Sequence, residues 1–163
     1  MIPYSKLCRY HDRTQFDCGN ETLNLYLREQ VGQDVRRNLT KCYVVCEDDT
    51  YRVIAFMTLS NCSIDSSLLG YPYSAMYADI PMTKIGRLAV DKNFKGRGIG
   101  SDFLDEALNL AAEGPAASCG IVVDAKDDNV LRWYLKRQMK VLRTNPLQCF
   151  ALLPVSRHLP KDS

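Results

Sequence analysis

The chain has 163 residues, a length that favours one domain with a substantial core. Hydrophobic residues make up 46% and charged residues 25%, the balance of a globular protein and not of a disordered one. The net charge of +2 is too mild to mark a nucleic-acid binder by itself, although it leaves room for a local basic face.

No segment approaches the roughly 20 apolar residues needed to span a bilayer. The start, "MIPYSKLCRYHDRTQFDCGN", lacks the long apolar centre of a secretion signal, so a cytoplasmic protein with no membrane association is expected. Seven cysteines are scattered as Cys8, Cys18, Cys42, Cys46, Cys62, Cys119 and Cys149, with no CxxC pair, and the only histidines are His11 and His158. This argues against a zinc site, any other metal, or a disulfide framework. Buried free thiols are expected, with Cys42 and Cys46 on one side of a sheet.

"NETLNLYLREQVGQDVRRN" reads as a helix over 20–38, capped by Asn20, with Leu23, Tyr26, Leu27 and Val31 on one face. "KCYVVCE" and "YRVIAFMTLS" read as two strands joined by a turn at "DDT". Residues 61–82, punctuated by Gly70, Pro72 and Pro81, read as a long irregular segment. "TKIGRLAV" (83–90) is a strand, and 98–112 a helix with Phe103, Leu104, Ala107, Leu108 and Ala111 inward. "CGIVVDA" is a buried strand, "KDDNVLRWYLKRQMK" (126–140) a helix, and "LQCFALLP" a last strand. The order predicts a mixed α/β sheet with helices on both faces, in a single domain over 1–163.

Between strand and helix stands "KGRGIGS", with Gly96, Gly98 and Gly100 at alternate positions. Glycines let successive N–H groups turn into one concavity, backed by the positive end of the following helix. Lys95 and Arg97 add charge, and a pyrophosphate is the expected ligand. The spacing fits neither a Walker loop nor a dinucleotide fingerprint, whose third glycine would fall on Ser101 or Phe103.

"LAVDKNFKGRGIGSDFLDEAL" resembles the acyl-CoA motif of the GNAT acetyltransferases, Arg/Gln-x-x-Gly-x-Gly/Ala, through Lys95, Gly98 and Gly100. The resemblance covers most of the chain and implies the GNAT fold, with a central sheet splayed at the motif. It implies acetyl-CoA as co-substrate, its pyrophosphate on the N–H groups of Gly96, Arg97, Gly98, Ile99, Gly100 and Ser101. It also implies that Leu88, Ala89 and Val90 hydrogen-bond the pantetheine through the main chain, like an added strand.

"TKIGRLAV" holds no carboxylate to serve as a base, and Asp91 follows the strand beside the loop. On the residues alone, Tyr134 is a core tyrosine beside Trp133. The resemblance of "DDNVLRWYLKR" to the GNAT helix that ends with a tyrosine beside the thioester implies instead that Tyr134 protonates the leaving thiolate. It places Asp127, a natural helix cap, and Asn129 near CoA. The family usually closes this helix with Gly-Phe, where this chain has "RQMK". Without a base, an α-amine (pKa ~7.7–8.0) suits the site better than a lysine (~10.4).

"FDCGNETLNLYLRE", the glycine-loop segment and "VDAKDDNVLRWYLK" together resemble the tRNA-acetylating toxins of bacterial toxin–antitoxin pairs. That resemblance implies aminoacyl-tRNA as substrate, a ribbon-helix-helix antitoxin and a homodimer. Arg28, Arg36, Arg37 and Lys41, then Arg132, Lys136, Arg137, Lys140 and Arg143, with Arg87 in the motif strand, are the cations available for RNA phosphates. Acetylation of a small-molecule, peptide or protein amine is the alternative, as is a CoA-binding regulatory role with little turnover.

Overall fold

The computed structural model describes residues 3–70, 72–75, 77–142, 145–156 and 158–159. Seven strands form one sheet. They are β1 (Ser5–Lys6), β2 (Lys41–Cys46), β3 (Val53–Asp65), β4 (Asp79–Val90), β5 (Gly120–Asp124), β6 (Lys140–Leu142) and β7 (Asn145–Leu152). Their order is β1-β2-β3-β4-β5-β7-β6, and only β4 and β5 run parallel. The parallel pair is joined by the helix α3 (Ile99–Glu113), as a crossover requires.

Alternation along β2 and β3 divides the core. Tyr43, Val45, Ala55 and Met57 face one side, with Phe103, Leu104 and Ala107 of α3. Leu131 and Tyr134 of α4 (Asp128–Leu135) join that side. Val44 and Phe56 face the other, with Phe16, Tyr26, Leu27 and Val31. Helices therefore cover both faces, as the amphipathic patterns require. Cys42 and Cys46 do share a face. Cys18, Cys42 and Cys149 are buried thiols, whereas Cys8 is exposed.

The segment read as one helix over 20–38 is α1 (Glu21–Leu25) and α2 (Val31–Arg36), joined by a π-helical turn over Tyr26–Gln30. Asn20 caps it as expected, its side chain accepting from the Leu23 N–H at 3.1 Å. Arg13 Nη1 donates to the Leu27 carbonyl inside the turn at 2.9 Å. A widened turn of this kind is a common mark of a functional region.

Residues 61–82 correct the expectation of a long irregular segment. β3 continues to Asp65 and β4 begins at Asp79, paired in register from Asp65↔Asp79 to Asn61↔Thr83. The described residues between them include two 3-10 turns, Ser66–Leu68 and Tyr73–Ala75, and Leu68, Leu69 and Tyr73 cover Ile64, Met82, Val122 and Phe150. The polar "NCS" masked the alternation, and Pro81 suggested a break; its carbonyl still accepts from Cys119 N–H at 2.8 Å. The helix expected over 126–140 is shorter, ending at Leu135, and Lys140 already belongs to β6.

Candidate active site

β4 and β5 pair at only three positions, Thr83↔Ile121, Lys84↔Val122 and Ile85↔Val123. Beyond Ile85 the strands part, while β4 runs on to Val90 against β3. A bulge starts the divergence: Thr58 pairs with Arg87 but Leu59 pairs with Ile85, which leaves Gly86 extra. A Cβ on Gly86 would lie 3.1 Å from Thr58 Oγ1, so the bulge has little room for a side chain. The edge of Gly86–Val90 that faces β5 thus presents main-chain polar groups to a cleft. Leu88 and Val90 pack on the α3 side, and Ala89 is buried on the other, against the Phe56 cluster.

The cleft leads to the glycine loop. Gly96 and Gly98 adopt φ of +79° and +81°, values that L side chains rarely reach, with open space where a Cβ would stand. Gly100 is different: a Cβ there would meet Trp133 Cζ2 at 3.0 Å, so this glycine serves packing. Gly98 caps α3 without any side-chain bond, and the Asp102 N–H is the first to find a helical acceptor, at 3.0 Å. The N–H groups of Ile99, Gly100 and Ser101 remain at the positive end of a 15-residue helix. Such a terminus accepts an anion. Ile99 anchors the turn from below, 4% exposed.

Lys95 does not join this concavity. Its Nζ donates to the Cys18 carbonyl at 2.9 Å. Arg97 lies over the Phe94 ring, 4.8 Å from its centroid. The "FDCGN" segment braces the loop from the other side. Asp91, 1% exposed, accepts from Asp17 N–H (3.1 Å) and Asn93 N–H (2.9 Å). Lys92 N–H donates back to the Asp17 carbonyl at 2.8 Å, and Lys92 Nζ meets Asp17 Oδ2 at 2.8 Å. Asp17 Oδ1 accepts from Gly19 N–H and from Asn24 Nδ2, and the buried Asn24 accepts from Cys18 N–H. The Lys92 ammonium, then the Gly19 and Asn24 donors, hold the Asp17 carboxyl well below the usual carboxylate range.

The third wall is α4. Asp127 caps it, accepting from Val130 N–H at 2.9 Å. Asn129 is exposed and its side-chain oxygen accepts from Arg132. Tyr134 points inward, 3% exposed, and burial, then the neighbouring Cys149, push its phenol far above its ordinary value. Among the described residues its hydroxyl has no hydrogen-bond partner. A neutral, unpartnered phenol is a proton donor in waiting. The turn after α4 keeps its shape without the family's Gly-Phe. Gln138 takes the left-handed conformation (φ +67°) and Met139 is buried, 4% exposed.

The family model for the "Acetyltransferase (GNAT) family" matches residues 6–138. The chain belongs to the GNAT acetyltransferases. It is 30% identical to the tRNA-acetylating toxin of Mycobacterium tuberculosis over 155 residues, covering 93% of this chain and 92% of that one. Among solved structures, AtaT complexed with acetyl-methionyl-tRNAfMet is similar at a TM-score of 0.85 with 24% identity, covering 92% of this chain and 94% of that one. A Tyr-to-Phe mutant of the AtaT toxin, bound to the C-terminus of the antitoxin AtaR and acetyl-CoA, is similar at a TM-score of 0.77 with 23% identity, covering 92% of each chain.

As a GNAT enzyme the chain is an acyltransferase that uses acetyl-CoA, and the splay at Ile85 is the one its family motif implied. The motif strand over 83–90 holds no carboxylate. Asp124, at the end of the neighbouring β5, is a carboxylate the linear pattern did not reveal, and Lys84 (2.7 Å) and Gln148 (2.8 Å) occupy its oxygens. Asp34 accepts from the Tyr26 hydroxyl at 2.9 Å, and Arg87 stacks on the Tyr26 ring, 3.5 Å from its centroid. These pairings cross strands and helices, so no local spacing announces them. Among the described residues, no group of three or more His, Cys, Asp or Glu side chains could hold a metal ion, and no helix is long and apolar enough to cross a membrane.

Proposed function

We propose that this GNAT enzyme is a cytoplasmic, single-domain toxin that acetylates the α-amine of aminoacyl-tRNA and so blocks translation. The observation that carries the reading is the 30% identity to a tRNA-acetylating toxin over nearly the whole of both chains. The lack of a carboxylate in the motif strand supports it, because an α-amine needs less help from a base than a lysine.

In this reading the Gly96–Ser101 backbone holds the CoA pyrophosphate and the main chain of Leu88, Ala89 and Val90 holds the pantetheine. Asp127 and Asn129 contact CoA at the rim. The amine nitrogen attacks the thioester carbonyl, the C–N bond forms, and the C–S bond breaks as the Tyr134 phenol gives its proton to the thiolate. The amine's surplus proton leaves to water, and Tyr134 is reprotonated from solvent.

Arg36, Arg37, Lys41, Lys136 and Lys140 are exposed and supply cations for RNA phosphates. Arg28 is tied to Glu21 and Phe16, and Arg87 to Tyr26; Arg143 lies outside the described residues. A homodimer and a ribbon-helix-helix antitoxin complete the proposal, consistent with the antitoxin on the AtaT neighbour. The test is labelled acetyl-CoA with charged and uncharged tRNA. Label on charged tRNA alone is the expected result; label only on polyamines or peptides would overturn it.

A further inference from the structure

Arg137 follows α4 and returns to the start of α3. Its Nε donates to Ser101 Oγ at 2.8 Å, and its Nη1 donates to the Trp133 carbonyl at 2.9 Å. The guanidinium lies on the Trp133 ring, 3.7 Å from the centroid. The side chain is half-buried, yet no carboxylate forms an ion pair with it among the described residues. Asp102, the acid of the first turn of α3, makes no such pair either.

A half-buried cation without a counter-charge loses solvation and gains little in return. This one is also fixed in place by three contacts, and the rest of its planar donor fork has no partner among the described residues. It stands at the helix turn whose Ile99, Gly100 and Ser101 N–H groups are open. Lys95, which the acyl-CoA motif would aim at the phosphates, is spent on the Cys18 carbonyl instead. Three residues after Tyr134, Arg137 thus brings a further cation to the start of α3.

We propose that Arg137 binds a phosphate group of CoA, completing the anion site of the Gly96–Ser101 backbone. The proposal rests on the reading of that loop as the pyrophosphate site. A guanidinium suits the role because it donates in a fork that matches phosphate oxygens. The contact also ties cofactor to catalysis: Arg137 seats Trp133, Trp133 leans on Gly100, and Tyr134 is the next residue along α4.

The experiment compares acetyl-CoA with S-acetylpantetheine, which carries the thioester but no phosphate. Arg137→Gln, Arg137→Lys and Gly98→Val are measured beside the wild-type chain. Arg137→Gln is expected to weaken acetyl-CoA binding roughly tenfold or more, the loss typical of a charge-assisted hydrogen bond. It should lower kcat/KM for acetyl-CoA roughly tenfold more than for S-acetylpantetheine, and Arg137→Lys should recover part of the affinity. Unaltered acetyl-CoA affinity in Arg137→Gln overturns the proposal, as does an equal loss for both donors with a lowered Tm. Gly98→Val separates the two readings. If it weakens acetyl-CoA while Arg137→Gln does not, only the role of Arg137 falls; if neither variant weakens it, the loop reading falls as well.

Discussion

Lys95 Nζ donates to the carbonyl of Cys18, 77 residues away in sequence, so the lysine of the acyl-CoA motif faces the N-terminal segment and not the helix it precedes. The same junction carries the Asp17–Lys92 ion pair and the buried Asp91 and Asn24. "FDCGN" is therefore a brace that sets the position of the glycine loop. Its distinctive residues are explained by the loop they hold before any substrate is considered.

Replacing Asp17 by Asn removes the ion pair with Lys92 while keeping the shape. Stability at neutral pH should fall, and acetyl-CoA affinity with it, since the loop loses its outer support. The sign in pH follows from the depressed carboxyl, whose ordinary value is 3.8. A depressed group contributes stability that is fully present above that value and lost as pH falls through the folded one. The difference in Tm between wild type and Asp17→Asn should be constant from about pH 5 to 7 and shrink below about pH 4. Thermal melts across that range, followed by circular dichroism, check it.

Tyr134→Phe should keep acetyl-CoA affinity and lose turnover by on the order of 10²–10⁴-fold, the usual weight of a general acid. Burial keeps the phenol protonated well past its ordinary value of 10.0. The rate should accordingly rise as the acceptor amine loses its proton and then stay level to about pH 10, with no alkaline fall from this residue. A pH–kcat profile on an α-amine acceptor measures both limbs.

Gln138→Gly should stabilise the fold. Gln138 holds φ +67° after α4, where a residue with a Cβ costs roughly 1–2 kcal/mol and glycine costs little. A Tm rise of a few degrees with unchanged kcat/KM is expected, measured by melts and steady-state kinetics on one preparation.

Gly100→Ala tests why that glycine is there. Alanine is the better helix former by about 1 kcal/mol, so propensity alone favours the variant. The added methyl would instead press on Trp133, 3.0 Å away, and displace the side chain on which Arg137 rests. Acetyl-CoA affinity should fall, and the Gly100→Ala/Trp133→Phe double variant should recover it. Non-additivity in that cycle is the readout.

The order of strands and helices and the glycine loop were legible in the sequence, because periodicity and glycine spacing are local signals. The helix 98–112 and the strand around Ile121 stand nearly where the patterns place them. The far end of the β3–β4 hairpin was not legible: the inward positions of "NCSID" are the small, half-buried Cys62 and one large apolar residue, Ile64, too few to show an alternation. The π-helical turn at Tyr26–Gln30 leaves no mark in a hydrophobic pattern. At the site, the glycines announce an anion, but nothing local says that Gly100 is there for Trp133, or that Lys95 is spent elsewhere. Such facts arise only when segments distant in sequence meet.

The three-pair seam between β4 and β5 has a consequence for the life of the protein in a cell. A sheet that parts at its middle is closed, in the proposed binding mode, by a ligand acting as the missing strand. Main-chain amides of Gly86–Val90 would exchange with solvent faster in the apo chain than when the cofactor lies along them. Folding and cofactor supply are then linked by mass action, gaining about 2.7 kcal/mol at a hundredfold excess over Kd. The abundance of the enzyme would then follow the acetyl-CoA pool.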